Sequence, residues 1–231
     1  MGMSNYIPSS ALTKAGVCTS SARPASPYDG QVIYETDTDR TLVWNNSAWV
    51  FLSTSTANPV GLELITSVGC SAGGTASNGV VTIGSAVSSV VVTNAFNANY
   101  DSYRIVVSGG SASASTGYLT LQLGSATSNY RYQYIFGTLS NILSTTGTVT
   151  GARFDHVGVA GPLLAADIFL TNPFAAGATT INCFAGKTGN DAGPFTGFQV
   201  DTTSFTSFTL GISNSNTMTG GTIRVYGLRN S

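Results

Sequence analysis

From residue 60 onward the chain never sustains a helical period. Its apolar residues come in short runs with a spacing of two, and Gly, Ser, Asn and Thr separate the runs. Leu119, Leu121 and Leu123 fall on one side of such a run, with Thr120 and Gln122 on the other. Successive side chains of a strand point to opposite faces, so this spacing predicts strands with one face in a core. Strands are expected at Leu62–Val68, Val80–Ile83, Ser89–Thr93, Tyr103–Ser108, Tyr118–Leu123, Tyr130–Phe136, Ala152–Val159, Ala166–Leu170, Thr179–Phe184, Phe195–Val200, Ser207–Ile212 and Thr222–Tyr226. Many short strands at close spacing fold as a β-sandwich or jelly roll.

A differently patterned stretch comes first. Residues 23–51, RPASPYDGQVIYETDTDRTLVWNNSAWVF, hold both tryptophans of the chain. The prolines at 24 and 27 keep Arg23 and Ser26 extended. Asp29-Gly30, Asp37-Thr38-Asp39 and Asn45-Asn46-Ser47 read as turns. The segments between them, Gln31–Thr36, Arg40–Trp44 and Ala48–Leu52, make a three-stranded meander. Val32 and Tyr34 point one way and Ile33 the other; Leu42 and Trp44 oppose Val43; Trp49 and Phe51 oppose Val50 and Leu52. Both faces are therefore apolar, whereas a sheet with a solvated face alternates apolar with polar. A chain below about 40 residues needs disulfides, metal or oligomerisation to be stable. With neither disulfide nor metal indicated, burial against symmetry mates is expected, through Tyr34, Leu42, Trp44, Trp49 and Phe51. The domain reading is an N-terminal arm at 1–22, polar and without periodicity, then the β-meander module at 23–52. A polar linker at 53–59 and the sandwich domain at 60–231 follow.

Composition narrows the function classes. Hydrophobic residues make up 42% of the 231, but charged residues only 8%, against about 25% in an average soluble domain. There are two lysines, Lys14 and Lys187. Such a surface is hydroxyl-rich or covered by other subunits. With a net charge of −1 and no basic patch, nucleic acid is not an expected partner. No apolar run reaches the roughly 18 residues of a membrane helix, and no membrane partner is expected. The segment MGMSNYIPSS lacks a positive region followed by an apolar one, so no signal peptide is read there. Gly2 begins a myristoylation pattern that Tyr6 breaks. Cys18, Cys70 and Cys183 are odd in number and far apart, and read as free thiols.

Candidate chemistry is sparse, and no catalytic residue, metal site or cofactor is assigned. His156 is the only histidine and follows Asp155, but no G-x-S-x-G elbow presents a nucleophile; a structural role is expected. Gly186-Lys187-Thr188 looks like the end of a phosphate loop, yet Ile181 occupies the position of its first glycine. Asp37-Thr38-Asp39 begins like a calcium loop and continues with Arg40 and Thr41 instead of oxygen ligands. Asp155, Asp167, Asp191 and Asp201 are the acids that could pair for glycoside hydrolysis, with no spacing to favour any pair. In YRYQYIF, Tyr130, Tyr132 and Tyr134 line one face of a strand. They are the candidate ligand-binding residues, as rings that stack on sugars; the competing reading is that they cover a core edge.

The stretch from Arg23 resembles a short module of bacteriophage virion proteins, namely tail fibres, minor tail proteins and head fibres. The matching residues are Arg23-Pro24, Asp29-Gly30-Gln31-Val32-Ile33-Tyr34-Glu35-Thr36-Asp37-Thr38 and Leu42-Val43-Trp44-Asn45-Asn46-Ser47-Ala48-Trp49-Val50. Asn46 stands where the module has Gly, and Asn tolerates the positive φ that the turn requires. Downstream, Phe96, Tyr100–Val106, the Leu119–Leu123 alternation, Asn129–Tyr132 and Ile223–Leu228 look like pieces of similar phage proteins. The resemblance implies a homotrimeric, non-enzymatic virion component of the tail-fibre or spike type. It would be held to other virion proteins through residues 1–52, with an outer domain for adhesion to a host surface glycan. Alternatives are a capsid decoration protein and, further off, a glycan-hydrolysing tailspike.

Overall fold

The structure, a computed structural model, describes residues 16–52, 61–138, 144–187 and 191–229. The fold is all-β, and the chain divides into two compact units, Met1–Asn58 and Pro59–Ser231.

Among the described residues the first unit is one four-stranded sheet in the order β1-β2-β3-β4: β1 (Gly16–Cys18), β2 (Val32–Glu35), β3 (Arg40–Trp44) and β4 (Trp49–Phe51). The meander β2–β4 follows the expected hairpins. Asn46 has φ 68°, and the Asn45 side chain accepts hydrogen bonds from the backbone N–H of Ser47 and Ala48 at 3.2 and 2.9 Å. This is an Asx turn. β1 was not expected. Residues 16–18, assigned to the arm, run parallel to β2 with Gly16 beside Ile33 and Cys18 beside Glu35. A parallel partner needs no hydrophobic alternation of its own when it borrows the register of an apolar neighbour.

The second unit contains, among the described residues, β5 (Leu62–Leu64), β6 (Gly69–Ala72), β7 (Gly74–Ser77), β8 (Val80–Ile83), β9 (Ser89–Thr93), β10 (Tyr100–Ser108), β11 (Ser111–Ala112), β12 (Gly117–Leu123), β13 (Tyr130–Thr138), β14 (Ser144–Gly151), β15 (Phe154–Ala160), β16 (Leu164–Thr171), β17 (Thr179–Lys187), β18 (Asp191–Gln199), β19 (Phe208–Ile212), β20 (Met218–Thr219) and β21 (Thr222–Arg229). All their pairings are antiparallel. One layer runs β14-β13-β18-β17-β16-β10-β21, with β5 and β8 on the far edge of β21 and β7 beyond β8. The other runs β15-β12-β19-β9-β6. The β15–β16 hairpin joins the layers through only two residue pairs, Val159 with Ala165 and Ala160 with Leu164.

Inward side chains of both layers form one buried cluster that includes Ile105, Ile168, Ile181 and Phe195 from the first and Leu119, Leu121, Val90 and Leu210 from the second. This is the sandwich that the alternation predicts. β18 starts earlier than expected because residues 191–194, Pro194 included, pair with 184–187 of β17. A proline has no N–H to give a ladder. The β13–β18 pairing is interrupted at that point, between Tyr134 opposite Phe195 and Gly137 opposite Ala192. β5 is shorter than expected because a turn follows at residues 66–67.

Candidate assembly surfaces

In the first unit, Ile33 lies opposite Leu42, Leu42 opposite Phe51, and Trp44 opposite Trp49. Directly opposed residues share a face. One face therefore carries Ile33, Glu35, Arg40, Leu42, Trp44, Trp49 and Phe51; the other carries Val32, Tyr34, Val43 and Val50. Four of the five expected oligomerisation residues stand together, and Tyr34 stands on the opposite face. Its hydroxyl donates to Asp39, and that bond raises its pKa.

The shared face grades from buried to open. Ile33 and Leu42 are buried, the tryptophans are half-buried, and Phe51 is 51% exposed. Trp44 and Trp49 meet edge to face with centroids 5.6 Å apart. The Arg40 guanidinium lies 4.6 Å over the Phe51 ring, a cation–π contact.

Glu35 lies on this face and is 1% exposed. Arg23 Nε donates to its carboxylate, and Thr38 Oγ1 donates at 2.7 Å. The Arg23 bond first, and the Thr38 bond second, hold its pKa below the ordinary carboxylate range. The Asp37 carboxylate accepts from Ser20 Oγ at 2.5 Å and Ser20 N at 2.9 Å, which lowers its pKa as well. These bonds tie the 19–23 segment to the sheet. Sequence reasoning missed this role of Glu35, Asp37 and Thr38; the signal was an arginine upstream of acids spaced by two.

In the second unit the tyrosine row of β13 points inward. Tyr130 and Tyr134 are fully buried, so they do not form the ligand-binding face considered above. Tyr130 Oη accepts from the Leu123 N–H at 2.7 Å, which links β13 to the end of β12 in the opposite layer. Burial pushes the Tyr130 phenol up to about 12. Tyr132 is half-buried, donates to Asp155 at 3.1 Å and stacks on Phe195. Tyr134 stacks between Phe136 and His156, and His156 stacks on Tyr118 at 3.7 Å. The row is a bridge between the layers.

The remaining candidates resolve similarly. Asp155 is bonded to Tyr132 and to Arg153, the latter at 2.9 Å; Asp167 is held by both Arg104 Nε and Nη2 at 2.7 and 2.6 Å; Asp201 accepts from Asn129 at 2.6 Å. Each acid has its own partners on different elements. The Asp191 side chain lies outside what the structure describes, as does Thr188. Gly186 and Lys187 belong to β17, not to a loop. Asp37-Thr38-Asp39 is a turn. The three cysteines are free, and burial pushes the Cys183 thiol up to about 12. No group of acids, cysteines and histidine that could hold a metal ion occurs among the described residues. Among the described residues no helix is long and apolar enough to cross a membrane.

The outward face of the longer layer was not singled out in the sequence. Ile135, Phe169, Phe184 and Phe198 project from it, and Phe184 is 79% exposed. A groove of about 480 Å³ runs between Ile135, Phe169 and Phe184, lined also by Gln133, Asn182 and Pro194 among others. Phe184 lies directly opposite Pro194. The gap that Pro194 makes in the ladder thus sits beside the most exposed aromatic ring among the described residues.

Comparison with protein-family models, with curated proteins and with solved structures found no match.

Proposed function

We propose that this chain is a structural protein of a bacteriophage particle, a trimeric fibre- or spike-type component without catalytic activity. The first unit gathers the chains and attaches them to other virion proteins, and the second faces outward for adhesion to the host surface, where a glycan is the expected ligand. The observation that carries this reading is the aromatic face of the first unit. Phe51 is exposed and Trp44 and Trp49 are only half-buried, on a four-stranded sheet that has already used residues 16–23 as cover. Apolar surface of this kind at the open edge of so small a sheet marks an association site. The virion resemblance of the same stretch supports the setting.

Sedimentation of the purified protein tests the assembly. A trimer whose tryptophans are shielded from a quencher is expected; a folded monomer with the tryptophans already shielded sinks the reading. Copy number in purified particles tests the setting. A few copies per particle fit a fibre, and hundreds fit a shell decoration.

A further inference from the structure

The two outer surfaces of the sandwich are unlike each other. In the second unit the described large apolar side chains left exposed are Leu62, Ile135, Leu163, Phe169, Phe184, Phe198 and Leu228. Ile135, Phe169, Phe184 and Phe198 stand on the outer face of β13, β16, β17 and β18. Leu228 stands on the same face of β21, and Leu62 lies directly opposite Leu228. Leu163, in the β15–β16 turn, is the exception. The outer face of the other layer carries the partly buried Gln122, Thr209 and Val91 and the buried Thr120, with no exposed large apolar residue among those described. Single exposed apolar residues are ordinary on a protein surface, but a contiguous set on one face marks an interaction surface.

We infer that this face is a second self-association surface, turned toward the three-fold axis so that it packs against the same faces of the other two copies. The inference extends the assembly reading from the first unit to the second. Its area fits. The strands β13-β18-β17-β16-β10-β21 are adjacent in that order. Six strands spaced about 4.8 Å apart span about 24 Å, and eight or nine residues at about 3.4 Å each give about 29 Å. The resulting face of about 700 Å² approaches the roughly 800 Å² per partner of a standard interface.

Its charge fits too. On the outer faces of these six strands the described charged residues are Arg131, Asp167, Arg104 and Arg224. Asp167 is already matched by Arg104, whose guanidinium also lies 5.4 Å from the Phe169 ring centre. The centre of the face therefore carries a matched pair of charges, and Arg131 and Arg224 stand apart on β13 and β21, the first and last of the six strands. The net charge of −1 provides no long-range repulsion between copies. Phe184, at the rim of the groove, supplies the large apolar anchor that such an interface needs.

The test is sedimentation of the full chain as wild type, Phe184→Asp and Trp44→Ala, with far-UV circular dichroism to verify folding. Phe184→Asp is expected to keep the wild-type spectrum and weaken self-association by about tenfold or more. Should the aspartate disturb the fold, Phe184→Gln gives the same readout without the charge. Association lost in Trp44→Ala but unchanged in the Phe184 variants overturns this inference and leaves the first-unit reading standing. A monomeric wild type overturns both. Binding of an immobilised glycan that Phe184→Asp abolishes, with association unchanged, assigns the face to a ligand and also overturns the inference.

Discussion

Arg23 and Glu35 form an ion pair across twelve residues, with the carboxylate buried and the guanidinium partly in solvent. The arrangement fixes the sign of a pH effect. Arg23 lowers the pKa of folded Glu35, so the contribution to stability is present above the ordinary carboxylate range. It is lost as pH falls through the lowered value. Removing Arg23 takes away the larger cause. In Arg23→Ala the acid unfolding midpoint of the first unit should move up toward the ordinary carboxylate range. Both tryptophans lie in that unit, so tryptophan emission against pH reads it alone. An unchanged midpoint would show that the pair contributes nothing.

The Trp44–Trp49 contact leads to a separation of effects. Both rings are half-buried, and neither is among the buried residues of the second unit's core. Trp44→Ala should weaken association by about tenfold or more. The second unit should keep its far-UV spectrum and its own thermal transition. Equal loss of association and of second-unit stability would count against two independently folding units.

Much of the fold was legible because the strands that make the core carry their own signal. β8 and β9 begin and end where the alternation does, and β12 encloses the Leu119–Leu121–Leu123 row. The strands missed are GVC, GCSA, GTAS, SA, STTGTVTG and MT. They carry few large apolar residues, and their pairing is imposed by a neighbour, as Gly74–Ser77 is by Val80–Ile83. Period two also places Tyr130, Tyr132 and Tyr134 on a common face without saying which face is inside. The opposite layer decides that. Leu123 offers Tyr130 a buried N–H, and the surface is left to Arg131, Gln133 and Ile135. The exposed phenylalanines were illegible for the same reason: Phe184 and Phe195 look alike in the sequence, and only register separates them.

Tyr130 then makes two predictions. Tyr130→Phe leaves the buried N–H of Leu123 without its acceptor. The loss should be about 1–3 kcal/mol, or a fall of about 2–4 °C in Tm per kcal/mol for a chain of this size. Any glycan binding should be unaffected, because the ring faces the core. The phenol also sets an alkaline limit. Its folded pKa is raised to about 12 from 10.0, so its contribution is intact below the unfolded value and disappears as pH rises through the folded one. Tyrosinate absorbance should rise cooperatively with unfolding in that window in the wild type. A simple titration near the ordinary phenol value, with the fold intact, would contradict the burial.

Phe154 sits among Tyr130, Tyr132 and Phe195 at centroid distances of 4.8, 6.4 and 6.2 Å. Tyr130 and Phe195 belong to the longer layer and Phe154 to the other, so the ring fills the space between layers where β15 meets β13 and β18. Phe154→Ala should destabilise the second unit by about 3–5 kcal/mol, because transfer and cavity terms add. Urea unfolding followed by far-UV circular dichroism measures it. A loss below about 1 kcal/mol would mean that the layers close over the gap.

Thr179 provides a stabilising substitution at a buried polar site. It is fully buried, opposite Gln199, and its Oγ1 has no hydrogen-bond partner. Gln199 has the capacity to bond it but is committed elsewhere. Its Nε2 donates to Ser128 O at 3.3 Å and to the Asp201 carboxylate, and its Oε1 accepts from Asp201 N at 2.9 Å. A buried hydroxyl without a partner costs about 1–3 kcal/mol in desolvation. Valine replaces it with a methyl group of nearly the same shape and retains the β-branch that a strand favours. Thr179→Val should therefore stabilise the second unit by about 1 kcal/mol, seen as a rise of about 2–4 °C in Tm. Thr179→Ser keeps the stranded hydroxyl and loses a methyl contact, so it should lower Tm. The opposite order of the two variants would mean that the hydroxyl is bonded after all.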